Sequence, residues 1–360
     1  MPYQVQVIVD DGSCITEQQA EKYGITVLEL PVNTDGDEPT TSAIQPLPLC
    51  AAYARAQERG QDAGVVAIHI GSALSSTYSN AVAAAEAVGG VDVIDSKAAG
   101  AGLAVAAIAA AKAARRGADR QRCAEIAQES LNRSYLWGYV PKLDTMRRGG
   151  RISTGQVVLS TALAMKPMIG LSDGQLRVAA KCRTEQKLLE TIVSRCTDAA
   201  GAKPVECVVQ TAGESTVGEQ LAQILPTVLP VDSVVRSVDL PASVIVHTGP
   251  NACFVSLVAS PDVADYAPAD AEPDTQRTHP HTPGVTTIEA KLPTWSENRR
   301  AARERAESLA RAISDFTHRD HTDADKAGAD KADKAAPGPE DAPDPGDESC
   351  PEADSASDKH

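Results

Sequence analysis

Between residues 64 and 70 the chain reads Gly-Val-Val-Ala-Ile-His-Ile, a nearly unbroken apolar run that opens on Gly64 and is followed by Gly71. A run this short and this apolar suits a strand covered on both faces. Similar β-rich runs occur at QVQVIV (4–9), TVLELPV (26–32), VDVID (91–95) and YLWGYV (135–140). Helical patterns lie between them at about 47–59, 75–88, 97–116 and 119–133. Alternation of this kind predicts an α/β layer with a largely parallel sheet.

After Gly149-Gly150 the rhythm changes. A helix is expected at about 153–164, then two β runs flanking Ser172-Asp173-Gly174, a tripeptide suited to a hairpin turn. Helices near 184–199 and 214–225 separate strands expected at 205–210, 231–236, 244–247 and 253–259. The reading is therefore of two α/β domains, 1–150 with a largely parallel sheet and 151–260 with a mixed, partly antiparallel one.

Residues 261–360 differ in composition, with 23 Asp and Glu against 12 Lys and Arg, most of the chain's net charge of −15. From 320 onward Asp, Ala, Lys and Pro dominate, too polar to bury a core, and disorder is expected. One helix is expected in this acidic tail. Thr294-Trp295-Ser296-Glu297 fits a capping box, and Ala302, Ala306, Leu309, Ile313 and Phe316 lie beyond it on one stripe to about 317.

The acidic balance argues against nucleic acid as a partner. Eight cysteines are scattered without a CxxC pair, so they read as small, reduced core residues and no metal site is expected. The first residues, MPYQVQVIVDDGS, lack the basic-then-apolar order of a signal peptide. The Ala-rich stretch 98–114, broken by Lys112, reads as a buried helix and no transmembrane segment is expected. A soluble, cytoplasmic protein is the expectation.

Five polar loops come after predicted strands, where α/β folds gather ligand groups: DDGS (10–13), TTSAIQP (40–46), GSALSSTYSNA (71–81), MRRGGRISTGQ (146–156) and HTGPNA (247–252). The third surrounds a helix start with hydroxyls, which suits an anion but equally suits simple capping. In the fourth, Arg151 can reach an anion or pair with a local carboxylate such as Asp144. In the fifth, His247 and Thr248 close an apolar run expected to be a strand, and the His has a structural reading as well as a functional one.

The order of these segments resembles the DegV family of fatty-acid-binding proteins, which includes the acyl-carrying subunits of bacterial fatty acid kinase. Asp10-Asp11-Gly12-Ser13 loosely matches the family's TDST-like turn. Tyr23-Gly24-Ile25 through Pro31-Val32 to Asp35-Gly36 matches its YGI-strand-PV-x-x-DG stretch, and Gln45-Pro46-Leu47-Pro48 its QPSP segment. IGSALSSTY (70–78) stands for ISS-x-LSGTY, and VIDS (93–96) is intact. RGGRIS (148–153), MKPMI (165–169), SDG (172–174), Lys181 to Thr184 and HTGPNA (247–252) complete the series, so the likeness covers about residues 4–258.

The resemblance implies a two-domain DegV-like α/β fold with an acyl chain in a buried tunnel and its carboxylate near the domain junction. It implies a long-chain fatty acid as ligand, no cofactor, no catalytic residue, and a fatty acid kinase as partner. Carried over by position, Ser75 matches the serine that hydrogen-bonds the carboxylate, while Arg151, His247 and Thr248 match the polar cluster at the tunnel mouth. The family's second carboxylate ligand, a Thr before its QP, falls on Ala43 in strict register; two extra residues in the loop would restore it as Thr41-Ser42. Ser76 and Asn251 replace family glycines.

Aliphatic composition is compatible with this reading, since an alkyl chain gains roughly 0.8 kcal/mol per buried CH₂. Two enzyme readings stand beside it. Ser75 and His247 could serve an acyl hydrolase, although no GxSxG elbow is present, and His247 could serve phosphotransfer of the dihydroxyacetone-kinase type, on fold analogy alone. An adaptor acting through the acidic tail is a third alternative.

Overall fold

The computed structural model describes residues 4–35, 39–153 and 165–260. The helix expected at 153–164 and every expectation for the acidic tail, including the 294–317 helix, lie outside the described residues.

The first sheet has the order β2-β1-β5-β6, from β1 (Gln6–Asp10), β2 (Ile25–Leu28), β5 (Val65–His69) and β6 (Val91–Asp95). All its pairs are parallel, with Val7 opposite both Ile25 and Val66. Along β1, Val7 and Val9 enter one hydrophobic cluster while Ile8 enters another; along β5, Val66 and Ile68 join the first while Val65 and Ala67 join the second. Both faces are thus dry, which is why the polar alternation of a half-exposed strand is missing.

Helices α2 (Pro46–Gly60) and α3 (Thr77–Val88) cover one face, supplying Leu49, Tyr53, Ala81 and Ala84. Helices α4 (Ala101–Arg115) and α5 (Arg120–Asn132) cover the other, while α1 (Glu17–Tyr23) starts on a capping box closed by Thr16 and Gln19. A two-strand ladder, β3 (Val32–Asn33) with β4 (Thr40–Thr41), carries the second polar loop.

The second sheet has six strands in the order β11-β10-β12-β7-β8-β9. They are β7 (Ser134–Tyr139), β8 (Lys166–Ser172), β9 (Gln175–Cys182), β10 (Val205–Thr211), β11 (Val234–Asp239) and β12 (Cys253–Ala259). Only β10 with β11 is parallel, so the sheet is mixed as expected. Asp173 (φ 51°) and Gly174 (φ 76°) both have positive φ in the β8–β9 turn, the geometry that matches strand twist.

Two expectations are corrected. YLWGYV reads with the first, parallel half, yet β7 is antiparallel to β12 and β8 in the second sheet. Sheet membership therefore changes between β6 and β7. The run 244–247 is not a strand but part of helix α9 (Ala242–Thr248), which starts after Pro241 and is closed by Gly249 (φ 72°). Its four residues are too short a window to separate the two periods. Helices α6 (Asp144–Arg148), α7 (Glu185–Ala200) and α8 (Thr216–Val228) complete the described chain.

Helix α4 lies between the layers, in contact with β1 of the first sheet and β12 of the second. Twelve of its fifteen residues are buried, and nine of those are Ala or Gly, so both sheets approach its axis closely. Among the described residues no helix is long and apolar enough to cross a membrane. The seven described cysteines are unpaired and all but Cys50 are buried.

Candidate ligand site

The site is built first by the loop after β1. Asp10 is buried and accepts the Ile70 N–H at 2.8 Å; the same oxygen faces His69 Nδ1 at 3.1 Å, and His69 Nε2 lies 2.9 Å from the Tyr53 hydroxyl. This chain fixes the exit of β5, from which the third loop starts. Asp11 points the other way and accepts the Leu30 N–H at 3.1 Å and the Ser243 hydroxyl at 2.9 Å, fastening α9 to the strand ends of the first sheet. Burial pushes the Asp11 carboxyl above its ordinary value, against the two hydrogen bonds that hold it down.

The loop into α3 is held by hydroxyls. Ser75 Oγ accepts the Thr77 N–H at 3.2 Å and lies 3.0 Å from Thr77 Oγ1. Thr77, fully buried, accepts the Ile44 N–H at 3.3 Å, and Asn80 donates to the Ile44 carbonyl at 2.9 Å. The start of α3 therefore grips the 41–45 segment. Ser76, in place of a family glycine, has φ −72° and needs no glycine.

The third wall comes from α6 and α9. Asp144 pairs with Arg147 at 3.7 Å, not with Arg151. Arg151 instead donates through Nε to the Leu74 carbonyl at 3.0 Å and through Nη1 to the Gly149 carbonyl. Half-burial lowers its pKa from the ordinary guanidinium value. His247 Nε2 lies 2.6 Å from Thr41 Oγ1. Burial, aided by the Arg151 charge, lowers the His247 pKa to about 4, so the ring is neutral at neutral pH. Thr248 donates to the Val244 carbonyl at 3.2 Å within its own helix, leaving only acceptor capacity toward the site. Asn251 takes φ 61°, the left-handed conformation that asparagine adopts more readily than most residues other than glycine.

These groups line one mainly apolar cavity. Thr41, Ser42, Ser75, Arg151, His247 and Thr248 share it with Leu30, Ile70, Leu74, Leu136, Met146, Leu176, Leu240 and Phe254. The centre of a water-sized sphere can move through about 90 Å³ of it. Ala43 does not line it. A polar cleft of about 460 Å³ adjoins, formed by Thr40, Thr145, Arg148 and Gly149 among others, and it shares Thr41, Arg151 and His247 with the apolar cavity. Those three residues are the partition between the two.

Sequence reasoning missed several contributors. Gln210, fully buried on β10, accepts the Ala101 N–H at 2.9 Å and donates to Ser256 at 2.8 Å, lining the cavity and joining α4 to the second sheet. Its signal was present: one amide near the end of the apolar strand VECVVQT. Asp11 stood in the DDGS loop, but Ser243 and its bond to Asp11 gave no such signal, since the bond spans 232 residues of sequence. Cys14 also lines the cavity, but burial, with Asp11 and Asp10 nearby, raises its thiol far above the ordinary value and keeps it protonated.

Comparison with known proteins agrees with this architecture. The family model described as "Uncharacterised protein, DegV family" matches residues 35–260. A DegV domain-containing protein of Corynebacterium glutamicum is 40% identical over 256 residues, covering 71% of this chain and 93% of the relative. The crystal structure of a DegV family protein from the same organism superposes with a TM-score of 0.69 at 39% identity, over 72% of this chain and 99% of that one. A Thermus thermophilus DegV family structure, described by its fatty acid binding, gives a TM-score of 0.66 at 26% identity, over 71% and 100%.

Proposed function

The chain belongs to the DegV family, and on that premise we propose that it holds a long-chain fatty acid and presents the carboxylate to a partner fatty acid kinase, doing no chemistry itself. The alkyl chain occupies a buried tunnel that begins at the apolar cavity. The carboxylate lies beside the partition, against Ser75, Thr41 and Ser42, with Arg151 left to meet the phosphoryl group.

The observation that carries this reading is the convergence of the hydroxyls of Thr41, Ser42 and Ser75, with one guanidinium beside them, on one mainly apolar cavity. A carboxylate withdrawn from water needs such partners. Thr77 takes the Ile44 N–H as acceptor; if it donates its own proton to Ser75 Oγ, the Ser75 proton remains for the ligand. His247 can act similarly on Thr41. With the proton on Nε2 it donates to Thr41 Oγ1, and the threonine proton is left for the second carboxylate oxygen. Neutral His247 avoids adding a second buried charge beside Arg151. The adjoining polar cleft gives a phosphoryl donor access to the same partition.

The hydrolase reading fares worse, because its two groups are engaged elsewhere. Ser75 Oγ is bonded to Thr77 and His247 Nε2 to Thr41, with no hydrogen bond between them among the described residues. The decisive experiment is denaturing extraction of the purified protein followed by mass spectrometry. One fatty acid per chain is expected, together with a melting temperature that rises on adding fatty acid to stripped protein. No acyl chain and no thermal shift would overturn the reading.

A further inference from the structure

At the far end of α4 a second feature stands apart from the ligand site. Lys112, Arg116 and Arg133 line an open cleft of about 200 Å³ that also presents Ile108, Ile126 and Val258. Beside it Lys22 Nζ, Lys112 Nζ and Arg115 Cζ crowd one aromatic ring, at 5.4, 5.5 and 5.7 Å from the centre of Tyr23.

Among the described residues, none of Lys22, Lys112, Arg115 and Arg116 has a carboxylate within ion-pair distance. The cleft's own acids are engaged elsewhere, Glu129 with Arg122 at 3.3 Å and Glu206 with Arg236 at 2.8 Å. Lys22 lies in the last turn of α1, and Lys112 and Arg115 in the last turn of α4, where the helix C-terminus favours cations. Helix ends do not account for the convergence of all three on one ring with no paired carboxylate, in a chain of net charge −15.

The described chain ends in this same cleft. Ser260 lines it and donates its N–H to the Pro204 carbonyl at 3.1 Å, while Ala259 and Arg133 exchange hydrogen bonds of 3.2 Å. The next residues of the chain are complementary to it in charge. Asp262, Asp265, Asp270, Glu272 and Asp274 come before the first cation, Arg277, with Val263 and Tyr266 among them.

We propose that residues 262–274 dock on this cleft of their own chain, their carboxylates meeting Lys112, Arg116 and the cations around Tyr23. Direct tethering at Ser260 supplies a local concentration in about the millimolar range. Exposed ion pairs contribute about 0–1 kcal/mol each, so docking rests on several at once and weakens with salt.

Hydrogen exchange of the full chain, read by mass spectrometry, tests the assignment. At about 50 mM salt the amides of 262–274 should exchange at least about fivefold slower than at about 500 mM. The protection should disappear in Lys112→Gln/Arg116→Gln, and equally in a variant with the five acids changed to Asn or Gln. The second variant alters no residue of the described fold, so loss of protection there cannot come from unfolding. A carbodiimide applied to mixed heavy- and light-isotope protein should join Lys112 or Lys22 to one of the five carboxylates within a single chain.

An unprotected segment in the wild type, or protection unchanged in both variants, overturns the proposal. Cross-links found only between heavy and light chains would place the segment on a second copy and also overturn it. So would an unprotected segment in a protein that binds anionic phosphatidylserine vesicles, which would assign the cations to a lipid surface.

Discussion

The imidazole of His247 lies against the α-carbon of Gly149, so that a β-carbon at position 149 would stand 2.7 Å from Nδ1 and 3.2 Å from Cε1. The glycine backbone is ordinary, with φ −69°, so space and not conformation requires it. Gly149→Ala should leave the fold intact but displace the ring and break its contact with Thr41. Loss of a hydrogen bond of about 1 kcal/mol corresponds to roughly fivefold weaker fatty-acid binding. Displacement of a fluorescent fatty acid would measure it, with an unchanged Kd counting against the His247–Thr41 pair.

Ser75→Ala removes a hydroxyl from the apolar cavity and leaves Thr77 without its neighbour. A hydrogen bond to a charged group contributes about 1.5–3 kcal/mol, so binding should weaken roughly ten- to a hundredfold. Titration calorimetry on stripped protein would read the change. An unaltered affinity would mean that Ser75 serves only the local turn.

Acid should destabilise the protein through His247. Its folded pKa of about 4 lies below the ordinary 6.5, so between these values the unfolded chain binds more protons than the folded one. Stability is then full above about pH 6.5 and falls as pH drops toward 4, by about 1–2 kcal/mol once solvent screening of this half-buried ring is allowed for. Urea midpoints at pH 7, 5.5 and 4.5 should show this slope in the wild type and a shallower one in His247→Gln. Equal slopes would show that the ring does not titrate as described.

Arg151 belongs to both the apolar cavity and the polar cleft, and a guanidinium suits the larger charge of an acyl phosphate. Arg151→Ala should keep fatty-acid binding within a few-fold of wild type. In a reconstituted assay with a fatty acid kinase it should sharply reduce acyl-phosphate formation. Earlier unfolding and poor binding together would instead make Arg151 a brace between the Leu74 and Gly149 carbonyls.

Gly100 has φ +74° and touches the Gln210 side chain so closely that any β-carbon would overlap its amide oxygen. Gly100→Ala combines left-handed strain with loss of the Gln210 bond to Ala101. A destabilisation of about 2–4 kcal/mol is expected, measurable as a lowered Tm. A variant as stable as wild type would show that Gln210 can repack.

Much of this architecture was legible in the sequence because it arises from local patterns. GVVAIHI and QVQVIV announced strands covered on both faces, and the Asp173-Gly174 hairpin was readable from turn chemistry. The failures share one physical cause, since they depend on neighbours distant in sequence. YLWGYV carries no mark of whether β6 or β12 will pair with it, and Ser-Val-Ile-Val is compatible with either period until Pro241 and its packing decide. For the site, Ser75, Arg151 and His247 stood in recognisable segments. Tyr53 with His69 and His69 with Asp10 are hydrogen-bonded across 16 and 59 residues, a relationship that no spacing rule expresses.

Helix α4 holds two sheets apart with side chains that are mostly a single methyl group, and none of its residues from Ala101 to Arg115 touches the apolar cavity. The separation of the two layers is thus set by a spacer remote from the groups proposed to grip a carboxylate. Adding a methylene on α4 would wedge the layers and change which acyl shapes fit, while Ser75, Thr41 and Arg151 stayed as they are. On the fatty-acid reading proposed above, tail selectivity and head-group recognition would be separately heritable traits of one fold.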